Sequence, residues 1–201
     1  FTTFYPEIPM FHSWCLRAIK HNASQTAGLL QQKPVHLSDP NWSALETVVD
    51  QAAGRAAVIT HIGAFRTDET VALARHASSA GADAIAALPP AWFYKPDDEG
   101  LLRFYAEIND ASDLRLLIYN IPSRTGITMT ESLFERLLAF DNIVGMKDSS
   151  GDIFSLGHFL TIGDDPVIFE GEDTVLLGGL LAGASGGIGA TYNVMPDLFV
   201  K

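Results

Sequence analysis

The chain has 201 residues, and its 13 Lys and Arg against 24 Asp and Glu leave a formal charge of −11. An acidic surface repels phosphate backbones and anionic lipid headgroups, which argues against nucleic acid or a membrane as partner and in favour of small molecules. A 47% hydrophobic content with 18% charged residues and 17 glycines excludes a disordered chain and reads as a globular fold with a real core.

Residues 1–35 differ from all that follows and read as a divergent N-terminal segment with no assigned role. They are aromatic, broken by Pro6 and Pro9, and residues 14–20 read as a short helix. They carry no basic leader with a continuous apolar stretch and a small-residue cleavage site, so no secretory signal is read. Without an initiator Met, the chain is expected to start inside a longer reading frame. Cys15 is the only cysteine, so no intrachain disulfide can form, in keeping with a reducing, cytoplasmic setting.

From His36 the text becomes regular. Leu37-Ser-Asp-Pro40 marks a helix start, and Trp42, Leu45, Val48, Val49 and Ala52 follow at helical spacing before Gly54. Then come a strand over 56–62, a helix over 67–80, a strand over 83–88 and a helix over 97–111, whose Asp97-Asp98-Glu99 suits a helix N-terminus. A strand over 115–120, a helix over 130–140, a strand over 142–147 and a helix over 152–162 continue the alternation, with Asp164-Asp165 as a solvated turn. Last are a strand over 166–170, a Gly-rich helix over 173–182 and a strand over 186–190. The longest apolar run, 175–184, is ten residues and holds three glycines, whereas a spanning helix needs about 20 apolar residues.

Strands apolar on both faces, alternating with amphipathic helices, predict a parallel sheet covered by helices, hence an α/β fold. Strand starts at 56, 83, 115, 142, 166 and 186 recur near the ~31 residues per unit of an eight-fold barrel. An open doubly wound sheet fits that spacing too. Asn120, Lys147, Glu170 and Thr191 all fall at or just beyond the C-terminal ends of strands, where barrel sites are built. No G-x-G-x-x-G or P-loop string supports a nucleotide-binding sheet.

Lys147 ends the apolar strand that runs through Ile143-Val-Gly-Met146. A desolvated ammonium there has a lowered pKa, which frees the amine as a nucleophile able to form a Schiff base with a carbonyl. The plainer reading is a lysine reaching past the sheet to solvent or pairing with Asp148. Tyr119 ends the preceding strand and comes within reach of Lys147 if the strands share one rim, where its hydroxyl can shuttle protons; otherwise it is a core tyrosine. Pro122 and Gly126 read as turn residues, and Arg124 between them as a rim guanidinium, either solvated or clamping a carboxylate.

Tyr119-Asn-Ile-Pro122, Gly145-Met-Lys147, Glu170-Gly-Glu-Asp173 and Gly186-Gly-Ile-Gly-Ala-Thr-Tyr-Asn193 together resemble the class I pyruvate aldolase family of N-acetylneuraminate lyase and dihydrodipicolinate synthase. The resemblance runs from about His36 to Lys201, so residues 36–201 are expected to be a partial TIM-barrel aldolase domain. It implies a (β/α)₈ barrel, commonly a homotetramer, that uses neither metal nor organic cofactor. It implies an imine between Lys147 and C2 of pyruvate or of a 2-keto acid, with a C–C bond to an aldehyde made or broken at C3. Tyr119 matches the family's proton-relay tyrosine and Ile188 the residue packed on pyruvate. Ser149 stands where the lyases carry a small hydroxyl residue, and Gly171 and Asp173 stand where they bind sugar-chain hydroxyls.

Which member it resembles is divided. The string from Gly179 to Asn193 and His61-Ile-Gly63-Ala look like the sialic-acid lyases, whereas Arg124 in Ser-Arg-Thr-Gly looks like the synthases, whose arginine holds the aldehyde's carboxylate. Thr174 stands for a lyase glutamate, Ala190 for a lyase serine, and Phe93 for a tyrosine of the synthases. The reading leans to a lyase of a sugar-derived 2-keto acid with altered chain recognition. The alternatives are 4-hydroxy-tetrahydrodipicolinate synthase and a non-catalytic truncated paralogue.

The family's Gly-[Ser/Thr]-Thr-Gly-Glu loop is not found; Thr2-Thr3 and the text from Ser24 to Gly28 are nearest. Only strands 3 to 8 of the barrel are recognisable, with the first two units and the C-terminal helices missing or divergent, so the chain is expected to be a fragment, a splice product or a mispredicted gene. His36, His61, His76 and His158 are scattered without ligand spacing, so no metal site is read. The sequons at Asn22 and Asn41 are read as chance.

Overall fold

The computed structural model describes residues 13–15, 42–90, 95–195 and 198. One sheet of seven strands runs in the order β1 (Ser13–Cys15), β2 (Val58–His61), β3 (Ala84–Ala87), β4 (Arg115–Asn120), β5 (Ile143–Asp148), β6 (Val167–Glu170) and β7 (Gly186–Gly187). From β2 to β7 every neighbouring pair is parallel, and helices join them. These are α1 (Trp42–Ala52), α2 (Thr67–Ala80), α3 (Asp98–Ala111), α4 (Pro122–Thr125), α5 (Glu131–Leu138), α6 (Ile153–Phe159) and α7 (Leu176–Ala182). The predicted N-termini are capped as their side chains dictate: Asp97 accepts from the Gly100 amide, Thr130 from Leu133, and Asp152 from Phe154 and Ser155. No helix among the described residues is long and apolar enough to cross a membrane.

Three expectations change. Trp14 and Cys15 lie in a strand, not a helix: β1 pairs antiparallel with β2, Ser13 opposite Thr60 and Cys15 opposite Val58. A short helix is marginal in water, whereas an edge strand offers a row of unpaired amides and carbonyls to satisfy. Residues 16–20, the predicted helix start at Leu37–Pro40, Phe93, Thr2-Thr3 and Ser24–Gly28 lie outside the described residues. The turn after β4 is a helical turn, α4, begun by Pro122. The last strand shrinks to two residues because the Asp173 carboxylate takes the Thr191 amide and hydroxyl at 2.8 and 2.7 Å, diverting the chain into a 3₁₀ turn over Thr191–Asn193.

Two apolar layers sandwich the sheet. The larger lies between strands and helices and includes Ile85, Ile118, Met146 and Ile168 with Phe104, Phe134 and Leu137; Tyr105, fully buried there, donates to the Ala87 carbonyl at 3.0 Å. The smaller gathers Ala86, Leu117, Phe169 and Ile188, with Ile59 packed against it. In a flat sheet β2 and the end of β7 would stand five strand spacings, about 24 Å, apart. Their meeting in one cluster shows a sheet curled on itself: an incomplete TIM barrel of six parallel strands, with the small cluster as its interior.

One irregularity in the wall sets the register of β5. Leu116 aligns with Ile143, but Leu117 aligns with Gly145, so β5 carries one residue more than β4 at that level. Gly145 has φ +156° and lies so close to the Val167 backbone that a Cβ would collide with the Val167 carbonyl, which is the site's requirement for glycine. Beyond this bulge Tyr119 aligns with Lys147 and Asn120 with Asp148.

Candidate active site

Strand alternation sends Leu117 and Tyr119 of β4 into the curl and Leu116 and Ile118 toward the helices. The bulge puts Lys147 on the inward face beside Tyr119. Its Nζ donates to the Tyr119 hydroxyl at 3.0 Å and stands 4.1 Å from the ring centroid. Ile59 and His61 of β2, Ala86 of β3, Leu117, Tyr119, Lys147 and Ile188 line one small recess here.

The recess is apolar and Lys147 is only 4% exposed. Burial pulls its pKa from 10.5 down to about 8, partly offset by the negative charge of Asp173. Burial also raises Tyr119, while the Ser149 hydroxyl and the Arg124 guanidinium act in the opposite sense. The pair is therefore an amine with a substantial neutral fraction near pH 8, touching a phenol that keeps its proton. Lys147 neither reaches past the sheet nor pairs with Asp148. Asp148 points to the other face, accepting from Asn120 Nδ2 at 2.8 Å and from the Ser150 hydroxyl at 2.9 Å.

The remaining candidates fall around this pair. Gly171 backs the lysine, and a Cβ there would meet Lys147 Cε at 2.8 Å and collide with Ser149 Oγ, so the lysine and the serine hydroxyl reach this place only because residue 171 lacks a side chain. Asp173 is held by Thr191 through Oδ2, while its Oδ1 is buried without a hydrogen-bond partner among the described residues. Ile188, 2% exposed, lines the recess opposite β2. Arg124 is exposed on α4, near enough for its charge to act on the phenol. His61, read only as a scattered histidine or as part of a lyase-like string, is the lining residue that sequence reasoning left without a role.

Behind the lysine, on the helix side, Asp148 and Glu170 are 1% exposed and sit on adjacent strands in register. Burial raises both carboxyls, and the Asp148 charge raises Glu170 further. A carboxyl whose folded pKa is raised binds more protons than the unfolded chain, so its stability contribution is lost as pH rises through the folded value. Glu170→Gln mimics the protonated state and keeps an acceptor for the Glu172 amide. Its Tm is expected to match the parent near pH 4 and exceed it at pH 8, read by thermal melts across that range.

Comparison with known proteins gives a consistent set of likenesses. The sequence pattern of the dihydrodipicolinate synthetase family matches residues 37–201. The chain is 39% identical over 163 residues to N-acetylneuraminate lyase of Rhizobium meliloti (strain 1021), covering 81% of this chain and 54% of that one. It is 44% identical over 156 residues to a 4-hydroxy-tetrahydrodipicolinate synthase of Thermus thermophilus, covering 76% and 52%. The solved structure of the catalytic lysine mutant of Ruminococcus gnavus sialic acid aldolase superposes with a TM-score of 0.77 at 33% identity, covering 87% of this chain and 56% of that one. The chain thus spans about half the length of the curated relatives it matches.

Proposed function

The chain belongs to the dihydrodipicolinate synthetase family, and on that basis we propose that Lys147 is the Schiff-base nucleophile of a pyruvate-dependent aldolase that cleaves a sugar-derived 2-keto acid. The observation that carries this reading is the 3.0 Å contact between a desolvated lysine and a protonated phenol. A neutral amine adds to the C2 carbonyl, and the carbinolamine loses water to give the imine. Tyr119 supplies the proton that departs with the hydroxyl. The protonated imine withdraws electrons from C3; the Tyr119 phenolate left by the dehydration takes the proton of the hydroxyl on the adjoining carbon, the bond from C3 to that carbon breaks, the aldehyde leaves and an enamine remains. Protonation at C3 and hydrolysis then release pyruvate and restore the amine.

Ile188 packs on the pyruvate end. The orphaned Asp173 Oδ1 is an acceptor suited to a hydroxyl of the sugar chain, and Ser149 with the Gly171 backbone offers further polar contacts. The enzyme needs no cofactor on this reading, acts in the cytoplasm and assembles as a homo-oligomer with the rest of the family's barrel. Arg124 favours a second reading: an exposed guanidinium beside the site matches the carboxylate of aspartate semialdehyde, the partner expected of a synthase.

Borohydride reduction in the presence of pyruvate tests the imine. Attack requires the neutral amine, so trapping is expected to rise with pH through a midpoint near 8, not the ordinary 10.5. A flat profile, or no adduct from a cooperatively folded chain, rejects the assignment and leaves a non-catalytic paralogue. Turnover of a sialic acid against condensation with aspartate semialdehyde separates lyase from synthase.

A further inference from the structure

The recess contains one polar group that the reaction described above does not use. His61 ends β2, two residues after Ile59, and both line the recess. Its ring stands edge-on to Tyr119, with centroids 5.8 Å apart and planes at 84°. Nε2 is buried and has no hydrogen-bond partner among the described residues. Buried polar groups in folded proteins are overwhelmingly paired, so an orphaned nitrogen on a side chain that lines the recess asks what pairs with it. The nearby phenol is engaged by Lys147, and the other lining residues, Ile59, Ala86, Leu117 and Ile188, offer only apolar side chains.

We propose that His61 is a substrate-contacting residue, whose neutral imidazole donates from Nε2 to a carboxylate oxygen of the 2-keto acid held on Lys147. The inference rests on the Schiff-base reading of Lys147 and deepens it. Burial and the neighbouring lysine hold the imidazole down to a pKa of about 4, so at neutral pH it carries one N–H and one bare nitrogen. A neutral donor is the appropriate group beside this lysine: an imidazolium would compete with the iminium for the same carboxylate and repel it. The edge-on stack on Tyr119 fixes the ring plane, which orients the donor at little entropic cost.

Two measurements test this in the full chain. With ¹⁵N-labelled histidine, one Nε2 resonance, assigned by its loss in His61→Phe, is expected to shift as pyruvate is titrated in. In borohydride trapping, His61→Phe keeps an aromatic ring against Tyr119 and removes the donor, so half-saturation is expected to need roughly tenfold more pyruvate or beyond. His61→Asn, which returns an N–H, is expected to recover part of that loss. If the parent chain traps pyruvate while the His61 resonance stays still and the Phe variant saturates at the parent's concentration, the inference is overturned and the lysine assignment stands. If the parent traps none, both fall.

Discussion

Lys147→Ala is expected to abolish the borohydride-trapped pyruvate adduct entirely and to lower turnover by roughly 10⁴-fold or more, as removal of an enzyme's nucleophile does. Mass spectrometry of the reduced protein reads the first effect, since Lys147 is the one lysine lining this apolar recess among the described residues. Stability gives an independent check. The lysine's folded pKa of about 8 lies below its ordinary 10.5. Between those values the unfolded chain binds more protons than the folded one, so the parent gains stability as pH rises from about 8 toward 10.5. The alanine variant lacks that gain, and melts at about pH 7.5 and 10 should show the parent improving relative to it. An adduct that survives the substitution would place the nucleophile elsewhere.

Tyr119→Phe is expected to lower kcat by about 10²- to 10⁴-fold, the range for losing a positioned acid–base group, with a much smaller change in KM. The ring that Lys147 lies over is kept, and only the hydroxyl at 3.0 Å is lost. The adduct should still form on long incubation, because the amine remains, but its approach to equilibrium slows. Loss of an acceptor for the ammonium also favours the neutral amine, so the midpoint of trapping should fall below about 8. Unchanged kcat would show that the phenol is packing and that protons travel by another route.

The lysine and the tyrosine were legible in the sequence because each ends an apolar strand, and parallel strands in a barrel present their ends at one rim. Helix starts were legible for a similarly local reason: Asp97, Thr130 and Asp152 cap the helices they precede. What depended on long-range geometry was not. His61 comes to line the recess only when the sheet curls enough to bring β2 against Tyr119. Which face Lys147 takes was not legible, because strict alternation along β5 hides the extra residue between Ile143 and Gly145. The strand at Ser13–Cys15 has too few residues for periodicity to speak, and it exists because the edge of β2 calls for a partner.

That extra residue in β5 has a consequence for the electrostatic character of the mouth. Straightened with every residue retained, the strand would turn the Lys147 amine among the helices and present the Asp148 carboxylate to the recess. On the reading proposed above, a cavity suited to a keto acid would become one that rejects anions. The polarity of the recess is thus chosen by a backbone kink outside its lining, and Gly145, wedged against Val167, is the residue that keeps the choice from reversing.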